Sequence, residues 1–439
     1  MMGQMWRQLV ARFGHQKLSQ DIAYSLGSFV ILALVGIAIN IVIVATRDTA
    51  ALGVFNLGYA VYITASQLAT VGLHYSVLRH AAFHADSPQQ RSRLFFTAAT
   101  CATGLGIVAA ITMYQAEPLF ARLFSSEATA AAIRNAALGL ALFPLNKVVL
   151  AYLNALRRMK AIAFLQSFRY LVILLLVSMI AVSNLPVSHL AFCFCVAEAS
   201  MLALGLAYVR HRRLAPSPTF CVSWMGKHFR FGVRALPAGL FVEVNSRVDV
   251  LMIGFFLDDK SVGIYSFAAM LVDGMYHILA MVRINFNPLL VAAARDNDYG
   301  AVGALRQQSQ KMVLPLMVVL AAGLIFTYWI AATWVLPGKD LMLGIYSLII
   351  LLAALVPVSF LIPFDNLMMV SGHPGLQTMQ QVATVGVNAT VMVVLLPIMG
   401  IEGAAIATAF SYIAGILMLL YLARRTLGWN LLAKRQRIA

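Results

Sequence analysis

Charge is scarce in this chain. Of 439 residues only 11% are Asp, Glu, Lys or Arg, against roughly 25% in a typical soluble domain. Together with 61% hydrophobic residues and a mean hydropathy of +0.84, that shortage excludes a water-soluble globular fold of this length. Cysteine is scarce too. Cys101, Cys193, Cys195 and Cys221 build no disulfide framework, and Cys193 and Cys195, two apart on an apolar helix, diverge and offer no metal site. Long polar segments are also missing. The turns at 47–50, 184–186, 257–260, 337–341 and 398–401 are a few residues each, and only 115–135 is longer. None can hold a soluble catalytic domain, so any chemistry or transport must happen between helices. A cleavable leader is not expected, because the first apolar run is span-length and lacks a small-residue cleavage site. Residues 1–20, with Arg7, Arg12 and Lys17, read as a cytoplasmic amphipathic lead-in.

What the chain does have is apolar length. Twelve runs stand out: 25–46, 51–73, 94–114, 136–155, 161–183, 187–209, 233–256, 261–286, 312–336, 342–365, 376–397 and 402–423. Each is near the roughly 20 residues a helix needs to cross a bilayer core of ~30 Å. Their hydrophobicity is continuous rather than alternating, which predicts a helical bundle and not an outer-membrane barrel. The net charge of +16 does not point to nucleic acid once its placement is seen. With twelve spans, 23 Lys and Arg fall on the side of the N-terminus and 5 on the other, leaving Lys147, Arg169, Arg247 and Arg283 within spans. That asymmetry follows the positive-inside rule and predicts both termini in the cytoplasm.

One stretch occurs twice, 210 residues apart. Asp48-Thr-Ala-Ala-Leu-Gly-Val-Phe-Asn-Leu-Gly-Tyr59 returns as Asp258-Asp-Lys-Ser-Val-Gly-Ile-Tyr-Ser-Phe-Ala-Ala269, setting Asp48 on Asp258, Gly53 on Gly263 and Phe55 on Tyr265. A weaker echo joins 155–166 to 370–381, closing on Gln166 and Gln381. Each copy is a short turn between apolar runs, the pattern of tandem membrane halves. The expected organisation is an N-terminal six-helix bundle over 1–209, a basic cytoplasmic linker over 210–232, and a C-terminal six-helix bundle with a basic cytoplasmic tail over 233–439. The linker's later part, with Trp224, Lys227, His228 and Arg230, reads as a surface helix drawn to anionic lipid.

Charges inside spans cost roughly 2.5–3.5 kcal/mol each on insertion scales and need a reason. The seventh run holds Glu243, Asn245, Arg247 and Asp249. Glu243 and Arg247 are four apart with the acid first, which suits a same-face pair. Asp249 is turned about 200° from Arg247 at ~100° per residue, so it should face a neighbouring helix or a water-filled cavity. The eighth run carries Asp273 and His277, four apart, then Arg283 and Asn285. In the first half, Asn146 and Lys147 follow Pro144 at an expected kink, Arg169 lies early in the fifth run and Glu198 is central in the sixth; Asp365 ends the tenth. Two readings stand for most of these. Arg169 and Arg283 can snorkel to the interface or line a cavity. Glu243 and Arg247 can be a structural pair, and Asp273 and His277 a hydrogen-bonded pair or a proton relay. With Lys147 and Arg247 facing a cavity, the interior would be positive in low dielectric and would receive phosphate or pyrophosphate.

The run Asn245–Ala268, with Arg247-x-Asp249, a polar turn and Val262-Gly-x-Tyr265-x-x-Ala268, resembles the seventh-to-eighth-helix region of polysaccharide transporters. These form one family of the multidrug/oligosaccharidyl-lipid/polysaccharide exporter superfamily. Met399–Thr408 similarly resembles the family's start of the last helix, and Leu52–Ala60 its first-half counterpart. The resemblance implies an all-α integral membrane fold of about twelve transmembrane helices, in two pseudo-symmetric six-helix bundles around a central cationic cavity. It implies a flippase that moves undecaprenyl-pyrophosphate-linked oligosaccharide from the cytoplasmic to the periplasmic leaflet. Arg247 and Asp249 are its motif positions; Lys147, Arg169 and Arg283 are not assigned by it. Some relatives have two further helices, which favours the O-antigen or exopolysaccharide type here over peptidoglycan-precursor flippases.

The expected function is therefore an inner-membrane lipid-linked oligosaccharide flippase working by alternating access, not an enzyme. Arg247, Lys147, Arg283 and Arg169 are the candidate substrate-binding cations, and Asp249, Glu243, Asp273, His277 and Glu198 the candidate ion-coupling or cavity acids. No cofactor or metal is expected; coupling would be to a proton or sodium gradient or to membrane potential. Expected partners are the lipid-linked substrate, membrane lipids and, in the same pathway, a polysaccharide polymerase and a chain-length regulator. One rival is a multidrug exporter of the same superfamily, which would want a more acidic, aromatic cavity. Another is a membrane polymerase or glycosyltransferase using 115–135, where Glu117 and Glu127 form no convincing catalytic pair. A non-catalytic assembly factor gives no reason for cations inside spans.

Overall fold

The computed structural model describes residues 2–84, 86–216, 219–296 and 298–432, and the side chains of these except 2–19, 21–23, 238 and 242. The lead-in cations Arg7, Arg12 and Lys17 and the tail cations Lys434, Arg435 and Arg437 thus lie outside the described side chains. Among the described residues the fold is all-α. The first half comprises α1 (Met2–Thr46), α2 (Thr49–Thr70), α3 (Leu73–Phe83), α4 (Pro88–Gln115), α5 (Glu117–Phe124), α6 (Glu127–Leu140), α7 (Phe143–Ala155), α8 (Met159–Ala181) and α9 (Phe192–His211). The second comprises α10 (Val222–Asn245), α11 (Val248–Phe256), α12 (Asp259–Asp296), α13 (Tyr299–Ile330), α14 (Ile345–Val358), α15 (Leu367–Val370), α16 (Pro374–Met399) and α17 (Ile401–Leu427).

The apolar runs all become helix, but not all become single rods. Nine helices among the described residues are long and apolar enough to cross a membrane alone, and α6 with α7 makes a tenth as a pair bent by 46°. The bend falls where Pro144 enters α7 as one of its first residues, a position where the missing N–H breaks no helical bond. The seventh run is broken at Ser246–Arg247, between α10 and α11. The tenth is broken after α14, in a stretch that holds Pro363 and Asp365. The outer segment 115–135, read as a loop, is largely helical: it forms α5 and the start of α6, and Arg134 pairs with Glu117 at 3.0 Å. The basic linker segment also differs from a free surface helix. It is the first part of α10, where Trp224 is buried and donates toward Gln90, and buried His228 bonds Ser76 and the Leu94 carbonyl. Its aromatic and imidazole rings have partners on α3 and α4, while Lys227 and Arg230 are exposed.

The chain divides into two compact units, Met1–Arg47 with Gly58–Glu243, and Asp48–Leu57 with Val244–Ala439. In the first, Arg47 has a structural task. Its guanidinium donates to the carbonyls of Ala181 at 2.8 Å, Leu185 at 3.0 Å, Ile180 at 3.3 Å and Ser183, and so caps the C-terminus of α8, where orphan carbonyls and the helix dipole favour positive charge.

In the second unit the sequence repeat becomes a structural one. Asp48 caps α2 by accepting from the Ala51 N–H at 2.7 Å, and Asp258 caps α12 by accepting from the Ser261 N–H at 2.8 Å. Between these two helix starts the backbones touch reciprocally. A methyl group on Gly53 would run into the Asp259 carbonyl oxygen, and one on Gly263 into that of Thr49. Thr49 and Asp259 are themselves equivalent in the repeat. Only glycine permits this approach, which is the physical reason for the Gly53–Gly263 match.

Candidate functional site

The polar residues of the apolar helices gather in clusters, some in each unit. In the first unit the centre is Glu198 on α9, with a relative exposure of 0%. Arg169 on α8 reaches one of its oxygens at 2.6 Å, and the Tyr62 hydroxyl of α2 donates to the same oxygen at 3.2 Å. The Asn146 amide of α7 donates to the other oxygen at 2.7 Å and to the Glu198 carbonyl at 2.9 Å. Arg169 therefore does not snorkel; it is one half of a buried ion pair whose acid also accepts hydrogen bonds from Tyr62 and Asn146. Such a pair is retained where each lone pair finds a donor, and removing one partner strands the other. Next along α7, Lys147 places its ammonium 5.3 Å from the centre of the Phe143 ring, and the Arg169 guanidinium approaches the same ring at 5.7 Å. Glu243 and Glu198 are the acids that act on Lys147. Glu243 accepts from Gln67 at 3.2 Å. The break between α10 and α11 means that the four-residue spacing of Glu243 and Arg247 does not run along one continuous helix.

The second unit holds three sets. Asp249, at the start of α11, accepts from the Tyr265 hydroxyl at 2.8 Å, the Thr408 hydroxyl at 2.8 Å and the Asn388 amide at 2.9 Å. It thus faces neighbouring helices α12, α16 and α17. Arg283 on α12 donates to Asp365 at 3.1 Å, and Gln380 on α16 donates to the other Asp365 oxygen at 2.7 Å. Asp365 sits in the broken stretch after α14, where a free carboxylate would be most costly, and Arg283 and Gln380 clamp it. Asp273 and His277 are both exposed, and the imidazole Nδ1 lies 2.6 Å from the Asp273 backbone carbonyl rather than from its carboxylate. Within each unit, then, acids stand in ion pairs or in groups of neutral donors.

Sequence reading found the charged members and missed their neutral partners. Tyr62, Gln67, Tyr265, Gln380, Asn388 and Thr408 are ordinary polar residues along apolar helices. Only Tyr265, inside the repeated stretch, and Thr408, inside the quoted start of the last helix, carried any signal. Among the described residues no group of three or more His, Cys, Asp and Glu side chains is arranged to hold a metal ion.

Comparison with known proteins bears on the fold and the family. No curated protein sequence matches the chain. Among solved structures it is similar to an inward-facing multidrug resistance MATE family transporter of the MOP superfamily, with 14% identity, a TM-score of 0.74 and coverage of 90% of this chain and 94% of that one. It is similar to the lipid II flippase MurJ in an inward closed conformation, with 13% identity, a TM-score of 0.72 and coverage of 92% and 87%. It is also similar to the MATE multidrug transporter DinF-BH, with 13% identity, a TM-score of 0.65 and coverage of 95% and 96%. At these identities the likeness is one of fold. The family model described as polysaccharide biosynthesis protein matches residues 18–284, more than half of the chain. This multi-pass, all-α membrane protein belongs to the polysaccharide biosynthesis protein family, with the fold of the MOP superfamily of transporters.

Proposed function

We propose that this protein is a flippase for undecaprenyl-pyrophosphate-linked oligosaccharide, an O-antigen or exopolysaccharide repeat unit, in a bacterial inner membrane with both termini cytoplasmic. It carries the head group from the cytoplasmic to the periplasmic leaflet by alternating access and makes or breaks no covalent bond. The observation that carries the reading is the family match over 18–284, the segment that contains Lys147, Arg169, Arg247 and Arg283. Cations retained inside apolar helices need a polar or anionic purpose. Arg169 and Arg283 are paired with Glu198 and Asp365; Lys147 in the first unit and the motif residue Arg247 in the second are the candidate cations for the pyrophosphate in this reading. The head group shifts the balance of states only if they bind it with different strength in each.

Asp249 is the coupling carboxylate in this proposal. Three neutral donors hold it, so a proton or a sodium ion arriving there changes the local charge without first breaking an ion pair. A second reading, export of organic cations, is favoured by the likeness to multidrug transporters.

The deciding experiment depletes the protein in its native cell and extracts lipid, with sidedness read by an impermeant sugar-modifying reagent. Complete lipid-linked units accumulating on the cytoplasmic face are expected. Accumulation on the periplasmic face would mean that translocation is intact and would move the function to a polymerisation step. Lys147→Ala and Arg247→Ala should each abolish surface polymer at normal protein level, and wild-type polymer from either removes that residue from the mechanism.

A further inference from the structure

One face of α12 is unlike the rest of that helix. Asp273, Tyr276, His277 and Arg283 fall within about 120° of arc at ~100° per residue. Asp273 and His277 are exposed and Tyr276 and Arg283 half-buried. An exposed carboxylate on so apolar a helix is not tolerated against lipid, so this face meets water. Tyr412 of α17 stands beside it, its ring inclined by only 13° to that of Tyr276 with the centroids 6.4 Å apart. The Arg283 guanidinium reaches toward the Tyr276 hydroxyl and is paired with Asp365. Gln380, 2% exposed, gives its amide N–H to Asp365 and keeps its amide oxygen buried without a hydrogen-bond partner. Arg247 is the largest opposing charge acting on Asp273.

We propose that this face, with Tyr276 and Tyr412 as its apolar floor and the Arg283–Asp365–Gln380 set as its polar edge, is a subsite for the uncharged sugar rings of the substrate. The chemistry selects that ligand class. A pyrophosphate needs a surplus of cations, and here Arg283 is paired with Asp365 and Arg247 and Asp273 act on each other with opposite charge. An organic cation needs a surplus of acids, and the same opposite charges offset it. A pyranose offers a C–H face that lies on aromatic rings and hydroxyls that both donate and accept. Two near-parallel tyrosines, a paired Arg and Asp, and an amide oxygen lacking a donor answer each of those features. The subsite rests on the flippase reading and deepens it: this face of the second unit selects the glycan.

The test uses the full-length purified protein in lipid nanodiscs and two probes, undecaprenyl pyrophosphate and the complete lipid-linked repeat unit extracted from depleted cells. Tyr276→Leu and Tyr412→Leu should each weaken binding of the repeat unit about tenfold and leave undecaprenyl pyrophosphate unchanged. Tyr276→Phe and Tyr412→Phe, which keep the ring and guard against misfolding, should stay within about threefold of wild type. Lys147→Ala should weaken both probes alike. Equal loss of both probes in the leucine variants, or no loss of either, overturns the sugar subsite while leaving the flippase reading in place. Failure of wild type to bind either probe overturns the flippase reading itself. An aromatic dye cation bound by wild type and lost in Asp273→Asn would make the face a cation site and overturn the proposal.

Discussion

Single side chains do two kinds of work in this molecule. Asp48 and Asp258 each tie down the first turn of a helix, and a lost Asp cap typically costs about 1 kcal/mol. Asp258 lies in the turn before α12. Partial burial alone would raise its carboxyl, but hydrogen bonds from the Ser261 hydroxyl and N–H outweigh burial and hold it below the ordinary carboxylate range. A depressed value means that the cap's contribution is complete above the unfolded-state value of about 3.9 and is lost as pH falls through the folded-state value. Thermal unfolding in detergent should therefore show Asp258→Ala less stable than wild type at neutral pH, with the gap closing below about pH 4. A gap that persists in acid would mean that the carboxylate charge is not what caps the helix. Glu198 is the other kind, a buried acid held by three side chains. Glu198→Ala strands the Arg169 guanidinium and should cost about 3–5 kcal/mol, seen as loss of folded protein from the membrane. Glu198→Gln keeps the shape and should retain more of it; equal abundance of the two variants would show that charge is not what holds the cluster.

Helices in this chain are shaped by where they must come close or break. The starts of α2 and α12 touch through Gly53 and Gly263, where any Cβ meets a carbonyl oxygen of the facing helix. Gly53→Ala or Gly263→Ala should push the two helix starts apart and destabilise by about 1–3 kcal/mol, the usual range for overpacking. The double variant should cost less than the sum, because one displacement relieves both clashes. Additive losses in a denaturation series would show that the contacts are independent. The breaks have equally local causes. Pro144 begins α7 rather than interrupting it, and the stretch around Pro363 sets Asp365 where Arg283 and Gln380 reach it.

For the whole molecule, the family match places it in the polysaccharide biosynthesis protein family, the fold is that of MOP-superfamily transporters, and its polar chemistry is divided between two units. If Asp249 is the coupling group of the proposed cycle, Asp249→Asn should bind lipid-linked repeat unit normally. It should also lose the dependence of translocation on an imposed ion gradient, measured in proteoliposomes with sodium and pH gradients applied separately. Translocation that still follows the gradient would move coupling to another acid, Asp273 being the exposed candidate. How much of this is legible in the chain alone differs by level. The apolar runs, the charge asymmetry and the Asp48/Asp258 repeat place the helices and the duplication. Glu198, Asp249 and Asp273 announce themselves because charge is rare here. Gln67, Gln380 and Asn388 do not, since an amide in a helix is cheap and common until a carboxylate stands opposite. The i,i+4 spacing of Glu243 and Arg247 is read on a continuous helix, whereas α10 stops at Asn245 and Arg247 precedes α11.

The sequence by itself determined that this is a helical membrane protein built by duplication, because apolar length and glycine identity act locally and need no partner to be read. Which charges are satisfied, and by what, was decided only by tertiary structure. A guanidinium or carboxylate is assigned its role by the groups brought within about 3 Å of it. Those groups come from other helices, 159 residues away in the case of Asp249 and Thr408 and 176 in that of Glu243 and Gln67.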